Sequence, residues 1–258
     1  MATALDELIG QTMEVDPRLL PWLPELLADL PVIGAFPEDV VTALREAGLA
    51  PGARVLDLGC GRGTIAVAVA KQRGCRVTGV DGLAPFIEQA RILAEQEGVA
   101  GQCDFIHGDL REQLDGGADQ DAVLLLALGP IFGGHSETIA ALRRRVKPGG
   151  LIVLDDAFLA DGVPPAGDYI DYTDHQQTLA RLTAHGDRVL SEQIIDADRL
   201  ASMNTDYTHR IAARAAQIAE RHPELAELLD GYVARQWRET ELLGKDVVCA
   251  LWVIQKGR

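Results

Sequence analysis

Residues 55–63 constrain the fold of this chain more than any other stretch. They read Val-Leu-Asp-Leu-Gly-Cys-Gly-Arg-Gly, an apolar run with strand character that carries an acid at Asp57 and then three glycines at alternate positions. Glycine is used where a side chain would block a close approach or where the backbone needs a positive φ. Three glycines directly after an apolar strand therefore predict a loop whose backbone approaches a bound small molecule.

The residues that follow predict a helix and a second strand. Residues 64–71 are rich in alanine, Gly74 is a stop signal, and residues 76–81 form a short apolar run that ends in Asp81. Strand, glycine loop, helix and strand make up half of a doubly wound nucleotide-binding unit. The helix N-terminus and free loop amides are expected to favour polar or anionic ligand groups. Asp81 is placed to accept hydrogen bonds from both hydroxyls of a ribose.

Two ligand classes compete for this unit. A dinucleotide fingerprint would place its third glycine at position 64, but position 64 is Thr and the third glycine comes at Gly63. Asp57 would repel a phosphate, whereas it would attract an ammonium group. S-adenosylmethionine carries an ammonium, a ribose and an adenine but no phosphate. The loop therefore resembles the glycine-rich motif of the class I S-adenosylmethionine-dependent methyltransferases.

The resemblance continues over residues 50–157. Residues 103–110 read as a third strand followed by the acid Asp109, and residues 121–129 as a fourth strand that is apolar enough to be buried on both faces. The Lys-Pro-Gly-Gly turn at 147–150 precedes a fifth strand at 151–156. The resemblance implies an α/β fold of the class I methyltransferase type, with a seven-stranded, mostly parallel, doubly wound sheet.

The resemblance also implies S-adenosyl-L-methionine as the cofactor and S-adenosyl-L-homocysteine as the product. Asp57 would bind the ammonium, Asp81 the ribose and Asp109 the adenine amino group, while Gly82 and Leu83 would line the adenine. No metal site is expected. The expected cofactor-binding residues are Asp57, Gly59, Cys60, Gly61, Gly63, Asp81, Gly82, Leu83, Asp109, Leu110 and Leu126.

Three regions are expected along the chain. Residues 1–50 form a helical N-terminal extension or cap, since apolar helical segments are broken there by several prolines. Residues 51–195 and 246–258 form the Rossmann-like core, with a helix from about Tyr169 to Ala184 before the sixth strand. Residues 196–245 form a helical insertion between the last two strands, with one apolar face through Ile211, Ala215 and Ile218. This insertion is expected to be a lid or a homodimer contact.

Charge and composition favour a cytoplasmic enzyme with a small-molecule acceptor. The 24 basic and 39 acidic side chains give a net charge of −15, which repels polyanions and disfavours a nucleic-acid substrate. Residues 127–132 follow the fourth strand without a polar side chain that could grip a flipped base. No apolar stretch is long enough to span a membrane, and residues 1–10 carry two acids and no basic residue, unlike a secretory signal.

The sequence carries fewer signals for the methyl-acceptor site than for the cofactor site. Asp155 and Asp156 end the fifth strand and His135 follows the fourth, so these three are the candidate catalytic residues. Methyl transfer needs alignment above all, and a base only if the acceptor must lose a proton. The acceptor atom, whether O, N or C, stays open. The alternatives are a non-catalytic cofactor-binding or interaction protein on the same fold, and an enzyme that uses the sulfonium for other chemistry.

Overall fold

A computed structural model of the chain describes residues 7, 9–10, 15–117, 119–165, 167–243 and 245–257. The prediction that residues 1–10 are not a secretory signal concerns residues most of which lie outside this set. Among the described helices, none combines the length and the apolar character that crossing a lipid bilayer requires.

Seven strands within the described residues form one sheet, in the order β3-β2-β1-β4-β5-β7-β6. Neighbouring pairs from β3 to β5 are parallel, whereas β6 and β7 are antiparallel. This is the mostly parallel, doubly wound sheet that the sequence predicts. The strands are β1 (Arg54–Leu58), β2 (Arg76–Asp81), β3 (Cys103–His107), β4 (Gln120–Leu126), β5 (Val146–Leu159), β6 (Arg188–Ile194) and β7 (Val247–Gln255).

The helices begin and end at identifiable signals. Gly63 and Gly74, both left-handed, bound the helix after the glycine loop, and Asp174 and Asp196 cap two later helices through their carboxylates. The α-helices are α1 (Leu23–Leu26), α2 (Pro37–Glu46), α3 (Thr64–Arg73), α4 (Ala84–Gln96), α5 (His135–Leu142), α6 (His175–Leu182), α7 (Ala197–Arg221) and α8 (Ala226–Leu242).

The centre of the sheet is buried on both faces. Residues 122–126 of β4 are at most 8% exposed, whichever face their side chains point to. Helices packed on the two faces of a parallel sheet explain why such a strand is continuously apolar rather than alternating. The glycine loop follows the carboxyl end of β1. Because β1 is parallel to β2 and β4, the loop lies at the carboxyl edge of the central strands.

Two local predictions differ from the structure. Residues 147–150 form a bulge inside β5 rather than a turn before it, since Gln120 pairs with Val146 and Ala122 already pairs with Leu151. The helix expected from Tyr169 starts only at His175, where the side chain of Asp174 accepts the N–H of Gln177 at 2.8 Å. Residues 167–169 form a separate 3₁₀ turn.

The chain divides into two compact units. One comprises the described residues within 34–194 and 250–257 and contains almost the whole sheet. The other comprises the described residues up to Ile33 together with 195–249. In this second unit Ile211, Ala215 and Ile218 are buried, as their helical spacing predicts. Arg214 of α7 donates both a 2.6 Å and a 2.7 Å hydrogen bond to Asp29.

Candidate active site

The glycine loop after β1 uses its three glycines in different ways. All three have positive φ values, 75° at Gly59, 52° at Gly61 and 76° at Gly63. A Cβ on Gly59 would lie 2.2 Å from a methyl carbon of Leu128, and one on Gly63 would lie 2.7 Å from Cβ of Ala90. A Cβ on Gly61 would meet nothing within 4 Å. The loop is therefore tightly packed at its ends and open in its middle.

Three N–H groups of the loop donate hydrogen bonds to acceptors of the protein itself. The N–H groups of Gly59 and Cys60 bind the carbonyl of Val80 at 2.8 and 3.0 Å. The N–H of Gly61 donates to Oδ2 of Asp81 at 2.8 Å. The expectation that free loop amides receive an anionic ligand group is therefore wrong for these three residues. Because a pyrophosphate is bound largely by such amides, this loop fits a ligand without phosphate.

Asp57 carries a buried carboxylate oxygen that lacks a hydrogen-bond donor among the described residues. Its side chain lies in β1 and is 2% exposed, and its Oδ2 accepts no hydrogen bond from any described residue. Burial, and next the negative charge of Asp81, raise the pKa of Asp57 to about 7. A buried acceptor without a donor is costly, so a ligand cation or N–H donor at this oxygen would be strongly favoured.

Asp81 is fixed by backbone donors at the end of β2. Its Oδ1 accepts the N–H of Leu83 at 2.9 Å, and its Oδ2 accepts that of Gly61. Burial nevertheless raises the pKa of Asp81, against the effect of both hydrogen bonds. Each carboxylate oxygen can accept a further bond, so two ligand hydroxyls could bind here. Gly82 follows, and its carbonyl lies 3.1 Å from Nε2 of His107.

The remaining expected cofactor residues are apolar or already engaged. Leu83, Leu110 and Leu126 are buried. The Cys60 thiol is also buried, and this burial together with the nearby carboxylates raises its pKa. Asp109 is engaged by Arg111, whose backbone N–H and Nε donate to Oδ1 at 2.9 and 3.0 Å.

The three candidate catalytic residues separate into two places. Asp155 pairs with Leu126, the last residue of β4, but β5 continues to Leu159, so the prediction that Asp155 and Asp156 end the fifth strand is wrong. Burial, and then the charges of Asp156 and Asp39, raise the pKa of Asp155 to about 7. Because successive strand residues point to opposite faces, Asp156 lies on the other face, where its Oδ2 is 3.5 Å from Nε2 of His135.

Three contacts at the site were not predicted from the sequence. Leu128 covers Gly59, Arg111 holds Asp109, and the hydroxyl of Tyr172 donates to Oδ1 of Asp156 at 2.5 Å. The Asp-Leu-Arg spacing at 109–111 was a readable local signal, since Asp side chains commonly bind backbone two residues on. The Tyr172–Asp156 pair is separated by 16 residues and carries no such signal.

The two raised carboxyl pKa values predict how the free protein responds to pH. Between about pH 4 and about pH 7, Asp57 and Asp155 are ionised in the unfolded chain but keep their protons in the folded protein. The folded state then binds more protons, so the free energy of unfolding should fall with rising pH by up to about 1.4 kcal/mol per unit for each group. Urea unfolding at about pH 5, 6, 7 and 8 measures this slope.

Asp57→Asn provides the control for that slope, because it removes one of the two titrating groups. The variant should lose less stability than the wild type between about pH 5 and about pH 7. Equal slopes for the two proteins would contradict the raised pKa of Asp57.

Comparison with known proteins agrees with this geometry. A family model described as a methyltransferase domain matches residues 55–150, from β1 to the bulge of β5. The crystal structure of an S-adenosylmethionine-dependent methyltransferase from Geobacter sulfurreducens, in complex with S-adenosyl-L-homocysteine, superposes with a TM-score of 0.76. It is 25% identical and covers 93% of this chain and 98% of its own. This chain therefore has the fold of the class I S-adenosylmethionine-dependent methyltransferases, and its residues 55–150 match a methyltransferase domain.

Curated relatives of this chain match less than half of its length. A sterol 24-C-methyltransferase of Gibberella zeae is 31% identical over 114 residues, which are 44% of this chain and 30% of the relative. A 23S rRNA (uracil(1939)-C(5))-methyltransferase of Shewanella halifaxensis is 37% identical over 99 residues, 38% of this chain and 22% of the relative. The chain spans less than half the length of the curated relatives that it matches.

Proposed function

We propose that this chain binds S-adenosyl-L-methionine at residues 57–63 and transfers its methyl group to a small-molecule acceptor. The observation that carries the proposal is the buried Oδ2 of Asp57, which lacks a donor among the described residues. It lies beside a glycine loop in which the N–H groups of Gly59, Cys60 and Gly61 are already engaged. The ammonium group of the cofactor supplies that donor. The bound complex of the Geobacter sulfurreducens relative supports the same cofactor.

The site residues fit this cofactor group by group. Asp57 would hold the ammonium, and the two oxygens of Asp81 would accept the ribose hydroxyls. Gly82, Leu83 and Leu110 would line the adenine. Asp109 would accept the adenine amino group beside its contact with Arg111. The remaining proposed contacts of the cofactor are Gly59, Cys60, Gly61, Gly63 and Leu126.

When bound, S-adenosylmethionine supplies an electrophilic methyl group on a sulfonium. The protein must then align an acceptor in line with the methyl–sulfur bond and exclude water. An acceptor that carries a proton also needs a base. Asp155, Asp156 and His135 are the proposed acceptor-side residues. The two acids lie near the carboxyl end of β5 and His135 follows β4, and ligands of such sheets bind at the carboxyl ends of the strands.

A small molecule is the proposed acceptor class. The net charge of −15 opposes binding of a polyanion, and residues 127–132 after β4 offer no polar side chain to grip a flipped base. Sterol and rRNA methyltransferases are both among the relatives of this chain, so an RNA acceptor is the alternative outcome of the test. The four cysteines are free thiols, as expected in a reducing cytoplasm. A homodimer stays a prediction.

Two measurements, made one after the other, test the proposal. Calorimetric titration should show saturable binding of S-adenosylmethionine and S-adenosylhomocysteine with about micromolar affinity. Methyl-labelled cofactor is then offered with phenols, amines, sterols, carboxylic acids and total ribosomal RNA. We expect label in a small molecule and none in RNA.

Each negative result has a distinct meaning. Failure of both cofactors to bind would refute the cofactor assignment. Binding without transfer to any acceptor would favour the non-catalytic alternative. Transfer of label to ribosomal RNA would refute the small-molecule class while leaving the cofactor site intact.

A further inference from the structure

A buried group of polar side chains lies beside β5, on the sheet face opposite to Asp155. His135, the first residue of α5, is 4% exposed, and Tyr172 is 6% exposed. Asp156 lies between them. The phenol O–H of Tyr172 donates to Oδ1 of Asp156 at 2.5 Å, and the N–H of Ala157 donates to the same oxygen at 2.9 Å. Both donors therefore hold Oδ1, and Oδ2 is the oxygen that faces His135.

The imidazole of His135 is buried without a hydrogen bond to any described residue. Neither ring nitrogen has a hydrogen-bond partner among the residues that the structure describes. Two aromatic neighbours stand edge-on, with ring centroids 5.7 Å away at Tyr172 and 6.0 Å away at Trp252. Their polar hydrogens are directed elsewhere, because Tyr172 donates to Asp156 and Trp252 Nε1 donates to Glu192 at 2.6 Å. Oδ2 of Asp156, 3.5 Å from Nε2, is the nearby charged atom.

We propose that Tyr172 is a positioning residue which, through Asp156, holds His135 with its proton on Nε2 and leaves Nδ1 as the base for the methyl acceptor. A neutral imidazole has one N–H and one lone pair, and the group that faces one nitrogen sets which form is present. A carboxylate oxygen beside Nε2 favours the proton there. The role assigned to Nδ1 rests on the proposed function, whereas the tautomer does not.

The resulting step conserves atoms and charge. An acceptor O–H or N–H gives its proton to Nδ1 of His135 while its oxygen or nitrogen forms a bond to the methyl carbon. The electron pair of the broken methyl–sulfur bond stays on sulfur. The positive charge of the sulfonium is thereby replaced by that of an imidazolium beside Asp156, whose carboxylate stabilises it.

Nitrogen NMR of protein labelled with ¹⁵N-histidine tests the tautomer without any ligand. The His135 signals, assigned by their loss in His135→Gln, should show a protonated Nε2 and a bare Nδ1 in the wild type. Asp156→Leu should abolish this preference. Tyr172→Phe, which leaves Oδ1 of Asp156 held by the N–H of Ala157 alone, should reduce the tautomer ratio by about fivefold, as expected for one lost hydrogen bond.

Tyr169→Phe is the matched control, because its ring lies 5.3 Å from that of Tyr172 in the same loop. This variant should keep the wild-type tautomer ratio. A wild-type protein with its proton on Nδ1, or an unchanged ratio in Tyr172→Phe, overturns the proposal. Thermal unfolding checks each variant, and Tyr172→Phe alone decides if Asp156→Leu does not fold. Calorimetry with S-adenosylhomocysteine reports on the proposed function separately.

Discussion

Replacing Asp81 with alanine is expected to weaken S-adenosylmethionine binding at least about 100-fold. The change removes both oxygens proposed to accept the ribose hydroxyls, and hydrogen bonds to a charged group contribute about 1.5–3 kcal/mol each. It also releases the N–H groups of Gly61 and Leu83, which Asp81 now holds. The middle of the loop would then lose its anchor. Calorimetric titration of the purified variant measures the affinity.

Two further variants make this experiment specific. Asp104→Ala removes an exposed acid from the adjacent strand β3, and it should leave the affinity within about twofold. Asp81→Asn keeps one acceptor oxygen without the charge, so its affinity should lie between those of the wild type and Asp81→Ala. Unchanged binding in Asp81→Ala would rule out the ribose assignment.

Replacing Gly63 with alanine is expected to destabilise the protein by about 2–5 kcal/mol. A left-handed conformation costs an L-residue about 1–2 kcal/mol, and the φ of Gly63 is 76°. The new methyl group would also lie 2.7 Å from Cβ of Ala90 in α4, a side chain that cannot move aside. Overpacking of this kind costs about 1–3 kcal/mol. Urea unfolding of the free protein gives the change in the free energy of unfolding.

Gly98→Ala separates backbone strain from packing. Gly98 has a φ of 72°, close to that of Gly63, but a Cβ there would meet nothing within 4 Å. This variant should lose only the strain component, about 1–2 kcal/mol. Equal losses in the two variants would show that the contact between the loop and α4 yields without cost.

The parts of the fold that could be predicted are those with local signals. Gly74 ends α3 in a left-handed conformation, as a glycine after a helix commonly does. Residues 247–255 form β7, and the spacing of Ile211, Ala215 and Ile218 places them on the buried face of α7. Each of these features depends on residues that are close together in the chain, so the local sequence pattern is enough to predict them.

The parts that escaped prediction depend on which strands become neighbours. The loop amides of Gly59 and Cys60 are engaged because β2 lies beside β1 and presents the carbonyl of Val80. The start of α6 at His175 reflects the cap at Asp174 rather than the apolar pattern before it. Tyr172 reaches Asp156 across a long loop, and the residue types alone do not distinguish that pair from others in the region.

By itself the sequence determined the glycine loop, the acids near the carboxyl ends of β1 and β2, and the alternation of strands and helices. These features follow from backbone freedom and from apolar periodicity, which are properties of short segments. Only the tertiary structure decided that residues up to Ile33 pack with 195–249, that Asp57 keeps a buried oxygen without a donor, and that Asp156 faces His135. Those outcomes depend on which distant groups share a buried space, because burial and partner choice are set by the whole packed fold.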